Sequence, residues 1–193
     1  EEAEITKLFL NSYRYVQFSI ANQFYKIADS ANLDYKIINH AMKHKYSRGN
    51  IPSPGFTAGP CLFKDTMQLS AFSNNNFSLG MEAMITNEGL VNYIVGKILK
   101  KYNLSNKVVG ILGMAFKAES DDIRNSLSYK LKKVLSLHCK KVLTTDPYVR
   151  NDKNIKSLED VKNKSHILII ATPHKIYKKI KTNKIIYNIW VDF

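Results

Sequence analysis

Lys107-Val108-Val109-Gly110-Ile111-Leu112-Gly113 decides how the second half of this chain folds. A short, continuous, β-branched run that ends in glycine reads as a strand buried on both faces. The pattern then alternates: a helix over about 122–137, a strand at 142–145 running into Asp146-Pro147, and a short helix at 157–161. A strand at 167–171, a helical stretch near 174–179 and a strand at 185–189 complete it. Strands and helices in alternation, with apolar strands, predict a parallel, doubly wound sheet. Ligands of such sheets bind beyond the C-terminal ends of the strands. Met114-Ala115-Phe116-Lys117, after the first strand, and Asp146, after the second, therefore stand at the mouth of a crevice. Gly110-x-x-Gly113 only partly echoes the dinucleotide fingerprint, because the close G-x-G and the third glycine are absent.

Working back from that strand, 78–102 reads as one long helix with Met84, Val91, Ile94, Val95, Ile98 and Leu99 as its apolar stripe. A helix of that length connects two lobes or forms a dimer seam. Ahead of it lie a polar break at Ser73-Asn74-Asn75-Asn76, a short helix at about 66–72 and a loop over 45–60. A helix over about 33–44 starts at Asn32 or Asp34; His40 and His44 are four apart on it, but no carboxylate or third ligand stands nearby, so no metal site is expected. Residues 1–30 form a single helix, with Ile5, Leu8, Phe9, Tyr13, Val16, Ile20, Phe24 and Ile27 mostly three and four apart. Glu4, Lys7 and Asn11 share another face of it, a solvated stripe on spacing alone.

The loop Pro54-Gly55-Phe56-Thr57-Ala58-Gly59-Pro60-Cys61-Leu62-Phe63-Lys64-Asp65-Thr66 holds the most chemistry per residue. Two glycines and two prolines shape it, and Asp65 or Thr66 is expected to cap the helix that follows. A thiol beside a helix N-terminus, with an ammonium three residues on, has its thiolate favoured by dipole and charge. The plain alternative is a buried structural cysteine in a turn.

Composition narrows the classes. The 193 residues are 45% hydrophobic, a globular content, and suit one large or two small domains. No apolar run approaches a membrane span and the charged opening run is no signal peptide. Cys61 and Cys139, without a C-x-x-C spacing, fit a reducing compartment, so the chain is read as cytoplasmic. The net charge of +13 raises nucleic-acid binding, yet lysine outnumbers arginine 25 to 4 and no basic arm is present. A solvated lysine-rich surface, favourable to an anionic ligand such as a nucleotide diphosphate, is the simpler reading.

Three segments together resemble one family: Glu2-Ala3-Glu4-Ile5-Thr6-Lys7-Leu8-Phe9-Leu10-Asn11, Gly59-Pro60-Cys61-Leu62-Phe63-Lys64-Asp65-Thr66, and 113–126 with Ala115-Phe116-Lys117, Asp121-Asp122, Arg124 and Ser126. They resemble, in order and spacing, the E-A-E-x-x-K-x-x-x-N, G-x-C-x-x-K-D and A-F-K-x-x-x-D-D-x-R-x-S motifs of the UDP-glucose/GDP-mannose dehydrogenase family. The resemblance implies an α/β chain: a helical central domain (1–77), a long linking helix (78–103) and a Rossmann-like, UDP-sugar-binding domain (104–193). The family's N-terminal NAD-binding domain has no counterpart in this sequence, so the chain is expected to be a fragment, inactive alone, of an enzyme that oxidises a nucleotide sugar's C6 alcohol twice with NAD.

By that resemblance Cys61 is the nucleophile, Asp65 positions or deprotonates water, and Lys7 and Asn11 bind substrate and stabilise an oxyanion. Pro52, Ser53, Pro54, Gly55, Phe56, Thr57 and Ala58 match the loop over the sugar, and Phe116 and Lys117 match contacts to substrate. Arg48 is the candidate for an arginine reaching a partner subunit's substrate. Cys61, Lys64 and Arg124 match positions near NAD. The implied partners are a UDP-sugar and a second copy of the chain, joined through the long helix, with no nucleic acid or membrane. Two departures stand out: Asn188 where the family usually has Asp, and Ala58-Gly59-Pro60-Cys61 where UDP-glucose enzymes read Gly-Gly-Ser-Cys. The identity of the sugar stays open. So do two other readings: a non-catalytic binding and dimerisation module, and a fragment of a hydroxyacid or 6-phosphogluconate type dehydrogenase, against which the cysteine loop argues.

Overall fold

Helix α1 (Glu2–Ser30) opens the chain in the computed structural model, which describes residues 1–190. Helix α2 (Tyr35–Lys43), a 3-10 turn at Ser47–Gly49, α3 (Leu62–Phe72) and α4 (Ser78–Lys101) follow. Strand β1 (Val108–Leu112), α5 (Leu127–Ser136), β2 (Lys141–Thr145), α6 (Leu158–Lys164), β3 (Ile167–Ile170), a 3-10 turn at Lys175–Lys179 and β4 (Ile185–Asn188) complete it. The chain divides into two compact units, with the boundary between Leu90 and Val91 inside α4.

The second unit follows its sequence pattern. All strand pairings are parallel and the order is β2-β1-β3-β4, so the chain steps from β1 outward to β2 and then crosses to β1's other side. Buried Leu112, Leu168 and Ile170 pack with Val161 of α6 and Tyr177, and such side chains each contribute about 1.5–3 kcal/mol on burial. Gly110 is where α6 comes closest: a Cβ there would lie 2.6 Å from Ser165 Oγ and 2.7 Å from Val161 Cγ1. Gly113 has φ +95°, and its missing Cβ would sit 2.4 Å from Thr172 Cβ.

In the first unit, helix α1 inverts the usual rule. The apolar residues that mark α1 as a helix stay largely in solvent, with Phe9 57%, Tyr13 60% and Ile27 55% exposed. Its buried positions are instead Ser12, Tyr15, Ser19, Ala21, Asn22 and Ala28. Small residues let α3 approach closely, and Tyr15 meets Phe63 edge to face at 6.5 Å. Asn22, fully buried, is paired on every side. Its Nδ2 donates to Gly55 O (3.2 Å) and Asn87 Oδ1 (2.9 Å), and its Oδ1 accepts from Gly55 N–H at 2.8 Å. Asn87 Nδ2 in turn donates to Tyr15 O at 3.1 Å.

Helix α2 begins at Tyr35 with Asp34, one of the two expected starts, capping it by accepting from Lys36 N–H. Two other boundaries differ from the sequence reading. Helix α3 begins at Leu62, four residues early, with Cys61 in the N-cap position. Asp65 and Thr66 are therefore not caps: Asp65 N–H already donates to Cys61 O at 2.8 Å, and Thr66 Oγ1 donates back to Leu62 O. Helix α5 begins at Leu127 rather than 122. Asn125 adopts φ +54°, a left-handed conformation that a helix interior excludes, and Ser126 caps by accepting from Ser128 N–H.

Candidate active site

In the first unit, two helices converge on one carboxylate. Asp65, one turn into α3, is 1% exposed, and α1 reaches it with the stripe that spacing alone made a solvated face. Asn11 Nδ2 donates to Asp65 Oδ2 at 2.6 Å, and Lys7 Nζ stands 3.6 Å from the same oxygen. Lys64 Nζ lies 3.4 Å from Oδ1. Burial alone raises the Asp65 pKa, but the Asn11 hydrogen bond and the Lys7 and Lys64 charges outweigh it, and the carboxyl is held below its ordinary value. Cys61 is exposed at the start of the same helix. An open cavity of about 780 Å³ borders the cluster, with Glu4, Lys7, Lys64, Asp65 and Gln68 among its walls.

The loop before Cys61 turns its side chains inward. Pro54, Gly55, Phe56 and Thr57 are buried, while Pro52, Ser53 and Ala58 are half-buried. The Asn22 carboxamide, pairing with both the N–H and the C=O of Gly55, ties this loop to α1. Arg48 is exposed in the 3-10 turn Ser47–Gly49. His40 and His44 stack with ring centres 5.9 Å apart, and no group of three or more His, Cys, Asp or Glu side chains suits a metal ion among the described residues.

In the second unit the strand order reverses between β1 and β3, and the loop after β1 lies at that switch point. Asp146, at the end of β2, accepts from the N–H groups of Met114 (2.6 Å), Ala115 (3.0 Å), Tyr148 (2.9 Å) and Val149 (3.2 Å). Burial raises its pKa, but these donors and His174 bring it down to about 2. Phe116 is half-buried, and exposed Lys117 places its ammonium 5.5 Å from the Phe116 ring centre. Arg124 forms a fork with Asp122, Nη2 to Oδ2 at 2.7 Å and Nε to Oδ1 at 3.0 Å. Asn188 ends β4, where its Oδ1 accepts from Trp190 N–H; the Trp190 indole donates to Ala171 O at 2.8 Å.

Family models match nearly the whole chain: the central domain of the UDP-glucose/GDP-mannose dehydrogenase family over residues 1–89, and that family's UDP-binding domain over 110–191. The chain belongs to this family. Family members are nucleotide-sugar dehydrogenases, which are oxidoreductases. The chain is 33% identical over 190 residues to the UDP-N-acetyl-D-mannosamine dehydrogenase of Pyrococcus horikoshii, covering 95% of this chain and 44% of that protein. It is 32% identical over 177 residues to the UDP-glucose 6-dehydrogenase of Streptococcus pneumoniae, covering 87% and 44%. The solved structure of the Pyrococcus horikoshii UDP-D-ManNAc dehydrogenase superposes with a TM-score of 0.85 at 28% identity, over 97% of this chain and 51% of the other. A UDP-glucose dehydrogenase from Pyrobaculum islandicum, at 21% identity, shares the fold with a TM-score of 0.85 over 98% and 48%. The chain thus spans about half the length of the curated relatives it matches.

Dehydrogenases of this family typically use NAD. Gly110 and Gly113 are taken up by internal packing against α6 and Thr172. Lys64 and Arg124 are exposed cations in the two units. Among the described residues no helix is long and apolar enough to cross a membrane.

Proposed function

We propose that this chain is the cysteine-bearing and UDP-sugar-binding portion of an NAD-dependent nucleotide-sugar 6-dehydrogenase, acting on a UDP-hexose or UDP-N-acetylhexosamine. The supporting observation is the convergence of Lys7, Asn11 and Lys64 on buried Asp65, one turn from exposed Cys61. The Cys61 thiolate adds to the C6 aldehyde carbon, and the carbonyl π pair moves onto oxygen. Lys7 and Asn11 each retain N–H donors beyond those aimed at Asp65, and meet that oxyanion; one such donor is typically worth about 3 kcal/mol. Loss of hydride turns the thiohemiacetal into a thioester, and water hydrolyses it to the uronate and the free thiol. NAD⁺ would supply the hydride acceptor for both oxidations; Lys64 and the Cys61 backbone of the first unit, and separately Arg124 of the second, are the residues proposed to contact it. A carboxylate held ionised by three partners is a weak proton acceptor, so Asp65 fixes Lys7 and Asn11 and orients water rather than taking its proton. Phe116 and Lys117 hold the nucleotide end of the substrate, and residues 52–58 cover the sugar.

A partner belongs to this reading. The solvent-facing stripe of α1 exposes Phe9, Tyr13, Ile20, Phe24 and Ile27, and α4 exposes Leu79 and Ile85; Phe9, Tyr13 and Leu79 line one apolar groove. We assign this surface to a homodimer seam, with the first half of α4 contributing beside α1.

Iodoacetamide tests the site in this chain. Burial pushes the Cys139 thiol up, so alkylation is expected at Cys61 first, with UDP-sugar slowing it. Labelling of Cys61 that is indifferent to saturating UDP-sugar overturns the proposal.

A further inference from the structure

Glu119 carries a left-handed backbone, φ +54°, two residues after Lys117. A non-glycine residue there is strained by about 1 kcal/mol or more, and such strain persists only where the surroundings over-determine it. They do so here. Glu119 N–H donates to Nδ1 of His174 at 3.0 Å. The Glu119 carboxylate accepts from Tyr148 Oη at 2.7 Å and from Lys175 N–H at 2.9 Å. His174 is fully buried, its ring centre 5.1 Å from that of Tyr148 with the planes tilted by 43°, and edge-on to Tyr177 at 5.5 Å. Its other nitrogen, Nε2, lies 3.1 Å from Asp146 Oδ2. The partners fix the tautomer: an ionised carboxylate only accepts and an amide N–H only donates, so Nε2 carries the proton and Nδ1 offers its lone pair.

One imidazole therefore ties together the ends of the loop that carries Phe116 and Lys117. Asp146 grips that loop at its beginning, through Met114 N–H and Ala115 N–H, and Thr172 Oγ1 donates to Ala115 O at 2.7 Å. His174, braced on the same Asp146, grips it at Glu119. We infer that His174 is a positioning residue for UDP-sugar binding, holding the Phe116–Lys117 loop through its Nδ1 acceptor. It touches no substrate; it acts through Glu119. The inference rests on the reading that Phe116 and Lys117 meet the nucleotide end of the substrate.

Two near-isosteric variants separate the ring's two bonds. His174→Asn places Oδ1 near the Nδ1 position, keeping the acceptor for Glu119 N–H. His174→Gln reaches the Nε2 position and keeps the contact to Asp146 but not the acceptor. Both are expected to lower Tm. In calorimetric titrations of the 193-residue chain with UDP, His174→Gln should raise Kd about tenfold, the order expected for one lost hydrogen bond, while His174→Asn stays within about threefold of wild type. Wild-type affinity in both variants, or equal losses in both, overturns the inference. In the unsubstituted chain, a 15N–15N coupling across the bond between Glu119 N–H and His174 Nδ1 is expected, and its absence overturns the inference whatever the variants do. If wild type shows the coupling but binds no UDP, the functional reading fails, and the inference with it.

Discussion

The two units of this chain solve the same problem by opposite means. The sheet unit buries continuous apolar strands, with Ile111, Leu168 and Ile169 fully inaccessible, and keeps its charges outside or at the strand ends. The helical unit buries Ser12, Ser19, Asn22 and Asn87 against loop and helix backbone, and leaves Phe9, Tyr13 and Phe24 in solvent. The sheet unit thus closes on itself, whereas in the helical unit α1 turns a small and polar face inward, with the Asn22–Gly55–Asn87 pairing set beside buried Phe56, Leu69 and Leu90, and presents its apolar stripe outward. What differs is where the function needs rigidity. A loop with few regular hydrogen bonds of its own, residues 52–60, requires side chains to hold its backbone.

The sharpest way to break this comparison is to make the helical unit apolar. Asn22→Leu fills nearly the same volume and raises hydrophobicity, yet it strands the buried N–H and C=O of Gly55 and the Oδ1 of Asn87. We expect a loss of about 3 kcal/mol in urea titration, similar to that of Leu168→Ala in the sheet unit. A neutral Asn22→Leu would show that the first unit is held by an ordinary apolar core.

Acid sharpens the second half of the comparison. The Asp146 pKa, lowered from 3.8 to about 2, stabilises the fold above pH 4, and this contribution fades as pH falls from about 4 to 2. Asp146→Asn should therefore cost about 2 kcal/mol at pH 7 and flatten the acid limb of the stability profile in that window. An unchanged acid limb would remove Asp146 from its place at the strand ends.

The smallest expected stability effect is on α1's outer stripe. At a concentration low enough for both proteins to be monomeric, Phe24→Glu should change unfolding free energy by less than about 0.5 kcal/mol, while at higher concentration sedimentation velocity shows dimer for wild type and monomer for the variant. Identical sedimentation of the two, or a large loss of stability, would place Phe24 outside the seam.

The same contrast explains what the residues alone made legible. Continuous apolar runs such as Val108–Leu112 announce a parallel sheet, because nothing else buries both faces of so short a segment. Motif spacing singled out Cys61, Lys7, Asn11, Asp65 and Lys117, and it alone set Lys7 and Asn11 apart from a solvated stripe; of these, the structure gathers Lys7 and Asn11 on Asp65. The Asn22 clamp left a fainter trace: Ser12, Tyr15, Ser19 and Asn22 recur at helical spacing, a small and polar face that reads as surface until a loop 33 residues away is folded onto it. His174 had no local signal, because Glu119 and Asp146, its two partners, lie 55 and 28 residues back. The start of α3 was misjudged for a related reason. Asp65 looks like a cap when its long-range partners on α1 are unseen.

The central claim is that Cys61 is a nucleophile for a C6 aldehyde, and it is testable without any hydride acceptor. The chain is incubated with a UDP-hexose 6-aldehyde labelled with 13C at C6, and the carbon is followed by NMR. The account predicts a thiohemiacetal carbon with wild type, none with Cys61→Ser, and a weakened signal with Lys7→Met. An adduct that survives Cys61→Ser, or no adduct in wild type at saturating ligand, would contradict it.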